Sequence, residues 1–448
     1  SSLGDDYRLH PHNFVPEAQG VDQAFHQDGN LPWNDRGHYR NHRPNWAVLF
    51  YYPQRVDDDN GPTEVVAGSQ YWTVDFEEGA DGWRRGDRID PTLDVEELRQ
   101  PDLAARDRRL DASLGTLGID GLQRRRLVVP QGAAVLAHYD IFHRGTRKAP
   151  GTDTRRFMYK FYFMRTRDPV EAAWANESPE PVLDDSYRSI DRVVRRIWSW
   201  SRGEAAAPTG DNQSIESATQ RLLTAEAEDE RVDAAYALGS ALAQRQCEPP
   251  EGLLEHDREA VRRAGGHLLG IAGECAAKAV LSGLQSESAT TRRVAALAAG
   301  EARLAAAIEP LLGMLETDAD DLTRSNAAYA IGNISRTGAP VDVGRLVARL
   351  SVDAEPDNTG NGVMTRSTVR ESVMYALIQI AFNRDLGDDV LDRIAAAGLA
   401  DHDRYVREMA IELLSMLLEP KAGWRKTLLD ELSAARYSVR PPRPAASA

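Results

Sequence analysis

The chain has 448 residues, of which 42% are hydrophobic and 27% charged, and it carries a formal net charge of −15. This length exceeds what one hydrophobic core supports, so two domains are expected. The negative charge argues against nucleic acid as a partner, no apolar run suits a membrane span or a leader, and the presence of only two cysteines, Cys247 and Cys275, favours a reduced, cytoplasmic protein.

The first 168 residues have the pattern of short strands separated by turns. Aromatic and aliphatic runs predict strands at residues 46–52, 64–66, 127–129, 133–136 and 157–163. Many short strands with Gly and Pro turns indicate a β-sandwich or a barrel. A charged stretch at residues 74–126 interrupts them and is either a solvated excursion or a lid. Its arginines form either a site for an anionic substrate or a solvated surface: Arg84, Arg85, Arg88, Arg124, Arg125 and Arg126.

His26 and Asp28 are the first candidate ligands of a metal ion. Two residues apart on a strand, their side chains point to the same face, so both can reach one ion. A third ligand must come from elsewhere in the chain, and the candidates are His143 and His138. Two histidines and one carboxylate form the facial triad of mononuclear non-haem Fe(II) sites, which leaves the other face of the metal to substrate and oxygen. The set therefore predicts an oxygenase.

Three segments resemble signatures of the phytanoyl-CoA dioxygenase family. They are His26-Gln27-Asp28, residues 58–69, and residues 129–136 leading to His143-Arg144-Gly145-Thr146, in the order in which the family has them. The resemblance implies a double-stranded β-helix (a cupin-like jelly roll) that binds Fe(II), with 2-oxoglutarate as co-substrate and O2 as oxidant. It also implies that His143 is the distal metal ligand and that His138 is not a ligand.

The resemblance further implies an arginine that binds the far carboxylate of 2-oxoglutarate, on the strand after His143. Arg155 and Arg156 both lie there, and adjacent side chains on a strand point to opposite faces. Burying the phenylalanines of this strand and leaving Lys160 outside favours Arg155 as the inward residue. A guanidinium suits the task because its planar fork donates two parallel hydrogen bonds to a carboxylate.

The reaction that the resemblance implies is oxidative. 2-Oxoglutarate would be converted to succinate and CO2 while an unactivated C–H bond of a small organic substrate is hydroxylated. Asp28 favours hydroxylation over halogenation, because related halogenases have Gly or Ala at this position. Desaturation, ring formation and epoxidation stay open.

The pattern changes to helices after the first 200 residues. Residues 186–202 predict a helix that closes the first domain, and residues 203–214 are rich in small and polar side chains, as in a linker. Beyond the linker a motif recurs in which a Gly follows an Arg after eight residues. Its four clear copies are spaced by 31, 30 and 32 residues and begin at Arg231, Arg262, Arg292 and Arg324, and two looser copies begin at Arg370 and Arg407.

A fixed period of this length predicts a solenoid of helix pairs. Its small residues allow one helix to lie close to the next, while Leu and Ile fill the layers between repeats. The copies resemble short HEAT-like repeats of the phycobilin-lyase type over residues 215–434. The last residues, 435–448, contain several prolines and are expected to be disordered.

Three classes of function follow from these patterns. The first is a small-molecule hydroxylase in which the solenoid is a structural appendage. The second is a protein or peptide hydroxylase that presents its target on the concave face of the solenoid. The third is an inactive scaffold, which the intact set His26, Asp28 and His143 opposes. We predict the first class, with a small substrate that is anionic if the arginines of residues 74–126 bind it, and with a protein partner on the solenoid as an open alternative.

Overall fold

In the computed structural model, the residues described are 6–18, 20–28, 40–73, 102–116, 119, 122–172, 178–181, 183, 189–204, 214–352, 368–401 and 403–417. Several predicted features lie outside these residues. They are Arg84, Arg85 and Arg88, the part of the charged stretch from residue 74 to residue 101, most of the linker and the C-terminal tail. None of the described helices is both long and apolar enough to cross a membrane.

Two antiparallel sheets form the first part of the chain. The first has the order β1-β7-β2-β5 and the second the order β4-β3-β6. Their strands are β1 (Tyr7–Phe14), β2 (Trp46–Tyr52), β3 (Thr63–Val66), β4 (Arg124–Arg126), β5 (Ala133–His138), β6 (His143–Gly145) and β7 (Tyr159–Arg165). The strand predicted at 46–52 is found at the same residues, whereas residues 127–129 are not a strand, and only Val129 forms an isolated bridge, to Val56.

The sheets pack face to face through alternate residues of β2 and β7. Val48, Phe50 and Tyr52 are fully buried on β2, as expected for period-two alternation in a strand with one inner face. Phe50 is paired in register with Lys160 of β7. Its ring centroid lies 5.5 Å from that of His143 in the second sheet. The space between the sheets is therefore lined by aromatic rings, one lysine and the histidine of β6.

The remainder of the described chain is helical. Helix α1 (Leu103–Thr116) precedes β4 in the chain, and helix α2 (Asp191–Ser201) follows β7. α2 is the closing helix predicted at 186–202, and Ile190, directly before it, and Val193, within it, are buried. The others follow as a stack: α3 (Ile215–Thr224), α4 (Glu228–Arg245), α5 (Glu259–Ala272), α6 (Ala277–Leu284), α7 (Ala289–Ala302), α8 (Ile308–Thr317), α9 (Asp321–Ser335), α10 (Val343–Val352), α11 (Thr368–Asn383), α12 (Asp388–Gly398) and α13 (Arg404–Leu417).

The glycines of three of the clear repeats, Gly270, Gly300 and Gly332, face a neighbouring long helix at short range. A Cβ built on Gly270 would lie 2.7 Å from Cβ of Glu301, and one on Gly300 would lie 3.1 Å from Cα of Ala330. At Gly332 the corresponding distance to Cα of Ala376 is 2.9 Å. Real Cβ atoms essentially never approach as closely as those built on Gly270 and Gly332, and the contact at Gly300 is tighter than most, so the spacing between successive helices favours glycine at these positions.

The arginines of five of the six repeats, all except Arg370, share an equally regular contact. Each guanidinium donates to the backbone carbonyl six residues earlier, in the turn that precedes its helix. The acceptors are Ala225 for Arg231, His256 for Arg262, Ser286 for Arg292, Asp318 for Arg324 and Asp401 for Arg407. These carbonyls lie outside the helical hydrogen-bond ladder and need another donor. The period in the sequence thus reflects one turn geometry built several times.

Replacing Gly332 with alanine tests the packing role of the glycines. The new Cβ would meet backbone atoms of α11, which cannot rotate away, so we expect a loss of about 1–3 kcal/mol in the free energy of unfolding. The matched control is Gly313→Ala in α8, where nothing lies within 4 Å of the new Cβ. There we expect a gain of about 0.5–1 kcal/mol from the better helix former. Urea unfolding measures both changes, and equal effects at the two sites would contradict the packing argument.

The sheets and the helical stack are joined by ion pairs near the end of β7. Asp168 lies 2.9 Å from Arg303 and 3.1 Å from Arg336. Burial alone would raise the pKa of Asp168, but these two guanidinium groups hold it well below its usual range. Arg336 also donates to Asn45 and to the carbonyl of Arg165, at 2.8 Å each. Helices α7 and α9 are thereby attached to the first sheet.

Candidate metal centre

His26 and His143 are held opposite each other by backbone hydrogen bonds. The amide of His26 donates to the carbonyl of His143 at 3.0 Å, and the amide of His143 donates to the carbonyl of His26 at 2.9 Å. This isolated antiparallel bridge adds His26 to the edge of β6. The ring centroids lie 4.6 Å apart as a result. Two residues that are distant in the sequence are therefore placed side by side by a single bridge.

Asp28 completes a cluster with these two histidines. One ligand atom of each of the three residues lies within 4.8 Å of the others. Asp28 Oδ1 is 3.8 Å from His26 Nε2 and 3.5 Å from His143 Nε2. Among the residues described, this is the one group of at least three His, Cys, Asp or Glu side chains close enough to hold a metal ion. His138, the alternative third ligand, is not part of the cluster; its Nδ1 accepts a hydrogen bond from the amide of Asp140.

The hydrogen bonds of the two imidazoles suit metal binding. Nδ1 of His26 lies 2.8 Å from the carbonyl of Ala24, and Nδ1 of His143 lies 3.0 Å from the carbonyl of Ile141. A carbonyl only accepts, so each Nδ1 carries the proton and each Nε2 carries a lone pair directed at the cluster. Burial, together with the charge of Lys160, lowers the pKa of His143 to about 3, so this imidazole is neutral at physiological pH. The donor set fits Fe(II).

Asp28 is buried, with 3% of its surface exposed, and it has two further partners on β7. Lys160 Nζ lies 3.1 Å from each carboxylate oxygen, and the Tyr162 hydroxyl donates to Oδ2 at 3.1 Å. Burial by itself would raise the pKa of Asp28, but Lys160 and the two histidines outweigh it and hold the pKa well below its usual range. Asp28 is therefore ionised, as a metal ligand must be.

A buried polar network behind the cluster positions the segment that carries Asp28. Gln27 Nε2 donates to the carbonyls of Trp72 at 2.9 Å and of Asp140 at 2.7 Å. Arg40 Nη1 donates to the carbonyl of Asp28 at 3.1 Å and to Asp140 Oδ1 at 3.3 Å. Burial raises the pKa of Asp140 to about 6, and the neighbouring Arg40 opposes this shift. Sequence reasoning missed Arg40, which no motif marks.

The strand-face prediction that favoured Arg155 is wrong. The side chain of Arg155 is 67% exposed and pairs with Glu17, with two nitrogen–oxygen distances of 2.8 Å. Lys160, which was expected to point outward, is buried together with Met158 and Tyr162. The inner face of β7 is the one with the lysine, because Asp28 lies opposite and compensates its charge.

Arg156 is on the inner face. It is 2% exposed, its Nη2 donates to the carbonyl of Gly61, and its Nε has no hydrogen-bond partner. No carboxylate of the described residues forms an ion pair with it, and burial lowers its pKa. Tyr52 lies close enough to interact electrostatically with it, and burial raises the pKa of Tyr52 to about 12. A buried guanidinium without an anion is costly unless a ligand supplies one.

Several other aromatic and charged residues of the described chain have structural roles. Trp46 and Trp72 are buried in hydrophobic clusters. Arg124 pairs with Asp107 and Asp111, and Arg126 with Asp58, so these arginines are partnered at the surface. His42 is buried, and its ring stacks on that of His267, with 3.8 Å between the centroids.

Comparison with known proteins gives structural similarity alone. No protein-family model and no curated protein matches the chain. Among solved structures, the chain is similar to the non-heme monooxygenase ThoJ in its apo form, with 16% identity over 38% of this chain and 53% of that one, at a TM-score of 0.23. It is also similar to the non-heme alpha-ketoglutarate-dependent epimerase SnoN from nogalamycin biosynthesis, with 15% identity over 40% of this chain and 61% of that one, at a TM-score of 0.22.

A third similar structure is apo HygX from Streptomyces hygroscopicus. Its identity is 16% over 38% of this chain and 61% of that one, at a TM-score of 0.19. The chain thus spans between 53% and 61% of the lengths of these three structures.

Proposed function

We propose that the chain is a non-haem Fe(II)/2-oxoglutarate-dependent oxygenase that hydroxylates an unactivated C–H bond of a small organic substrate, with succinate and CO2 as co-products. In this proposal residues 1–202 are a double-stranded β-helix domain like that of the phytanoyl-CoA dioxygenase family, with the closing helix. Residues 203–214 are a linker, residues 215–434 a HEAT-like solenoid and residues 435–448 a tail.

The observation that carries the proposal is the convergence of His26, Asp28 and His143. Their ligand atoms lie within 4.8 Å of one another, and each Nε2 carries the lone pair of its imidazole because each Nδ1 donates to a carbonyl. Three protein ligands on one side are what a metal requires if two positions are to be left for a bidentate co-substrate and one for O2. Iron in this position would supply the activation of O2 for oxidation of the substrate.

The other residues of the site have distinct tasks in this proposal. Tyr162 orients the Asp28 carboxylate through its hydroxyl, and Arg40 holds the backbone of the same residue. Arg156 binds the far carboxylate of 2-oxoglutarate, which provides the anion that its buried guanidinium otherwise lacks. The aromatic side chains of β2 exclude water from the space between the sheets.

Anaerobic titration of the pure protein tests the proposal. Fe(II) is added first and 2-oxoglutarate second, and the visible charge-transfer absorption of the iron chelate is recorded. The band is expected in the native protein only after both additions. A native protein that is folded and develops no band at saturating Fe(II) and 2-oxoglutarate would contradict the proposed function. Succinate release with small-metabolite and peptide panels then separates a small-molecule hydroxylase from a peptide hydroxylase.

A further inference from the structure

Lys160 lies among the three candidate ligands with its charged end directed at them. Its Nζ is 3.1 Å from both oxygens of Asp28 and 2.8 Å from Nε2 of His143. The side chain is buried, and Nζ lies 5.6 Å from the centroid of the Phe50 ring, its partner across the strand pair. This lysine is not part of the motif that predicts the site.

These contacts use the same atoms that a metal ion would use. A lysine ammonium has three donors and no acceptor, so Nε2 of His143 accepts a hydrogen bond from it. A lone pair that accepts this hydrogen bond is not available for coordination. The carboxylate of Asp28 is shared in the same way, since both of its oxygens contact Nζ. Contact with Lys160 and coordination of a metal through these atoms are therefore mutually exclusive.

The lysine also compensates the buried negative charge of Asp28 in the metal-free protein. Asp28 is buried, and a buried carboxylate without a cation is strongly unfavourable. The Tyr162 hydroxyl donates a hydrogen bond but brings no positive charge. Lys160 supplies the charge that a metal would otherwise supply. Its four-carbon stem has enough rotatable bonds to withdraw when another cation arrives.

We propose that Lys160 is an internal cation that competes with the metal ion for His143 and Asp28. It holds the site neutral and assembled in the metal-free protein and lowers the affinity for the metal, because loading requires the ammonium to withdraw. This inference rests on the proposed metal site and adds a residue that controls its occupancy.

Lys160→Met tests the competition directly. Methionine has a similar length and no charge, so it removes the competitor and still fills the space beside Phe50. Mn(II) serves as a redox-stable probe, and its dissociation constant is measured by titration calorimetry and by the loss of the free-ion EPR signal. We expect Mn(II) to bind about 10- to 100-fold more tightly to the variant, a change of the size that groups next to metal ligands produce. Lys278→Met is the control, because Lys278 is exposed and pairs with Glu248 in the helical stack.

The melting temperature gives a second readout that is independent of activity. Metal-free Lys160→Met leaves Asp28 without its counter-charge, so it is expected to melt below the native protein. Mn(II) should raise its melting temperature by more than it raises that of the native protein. Should the methionine variant fail to fold, Lys160→Gln replaces it, since the amide donates to Asp28 without the charge.

The possible outcomes separate the two proposals. Equal Mn(II) affinity in the native protein and in the Lys160 variants would overturn the competition but would not contradict the metal site. Binding by the Lys160 variants alone would support the competition and contradict the proposed function, because the native lysine would then exclude the ion. Binding by neither would overturn both the competition and the proposed function.

Discussion

His26→Ala is expected to lower the affinity for Fe(II) or Mn(II) by more than about 100-fold, since even loss of an outer hydrogen-bond partner of a metal ligand costs about 10- to 100-fold. Without this imidazole the site has one histidine and one carboxylate and no longer covers a face of the ion. The charge-transfer band with 2-oxoglutarate should be absent at metal concentrations that saturate the native protein. Titration calorimetry and absorption measure the two effects.

His26 is a better target than His143 for this experiment. Its side chain is 24% exposed, whereas His143 is buried against Phe50, so truncation at position 26 leaves a smaller cavity. The backbone bridge between the two residues does not depend on the side chain. His256→Ala, in the helical stack, is the control for the loss of a histidine. Unchanged metal affinity in a folded His26→Ala variant would remove this residue from the site.

Arg156→Met is expected to weaken 2-oxoglutarate binding by about 30- to 1,000-fold, equivalent to about 2–4 kcal/mol, because it removes one partner of a buried charge pair. Mn(II) affinity in the absence of 2-oxoglutarate should change little, since Arg156 contacts Gly61 and no residue of the metal cluster. The dissociation constant of the co-substrate is measured anaerobically on the metal-loaded protein.

Arg155→Met is the matched control for this prediction. The two arginines are adjacent in the sequence, but Arg155 is exposed and pairs with Glu17. Its loss should leave 2-oxoglutarate binding unchanged, because the guanidinium points away from the space between the sheets. Weaker co-substrate binding in Arg155→Met, with normal binding in Arg156→Met, would show that the inner face of β7 has been assigned to the wrong residues.

Local patterns in the sequence were sufficient for much of the architecture. The aromatic and aliphatic run at residues 46–52 predicted β2, and the same residues form the strand in the structure. The Arg–Gly period of the second half has two structural causes. The arginine donates to a turn carbonyl six residues before it, and the glycine allows a close contact between helices. Such features depend on residues near each other in the chain or on one contact repeated at a constant interval, and a sequence displays both.

The sequence did not predict β1 and β6, two strands that are defined mainly by their pairing with other strands. β1 contains two histidines and a proline, and β6 has only three residues, so neither has the apolar alternation of a typical strand. The strand predicted at 127–129 is displaced to the three arginines of β4, whose register with β3 exposes Arg125 and Arg126 and lets Arg124 reach Asp107 and Asp111. In short edge strands the pairing partner decides the position, and the composition contributes little.

The sequence by itself determined the residue types of the candidate metal site, since His26 and Asp28 share a face at a spacing of two and His143 was their candidate partner. It also determined the helical repeats. Only the tertiary structure decided which face of β7 is inside, because a strand with aromatic residues on both faces offers two equivalent choices one residue apart. The carboxylate of Asp28 across the sheets makes the choice, since its charge is best compensated by burying Lys160, and Arg156 is buried on the same side.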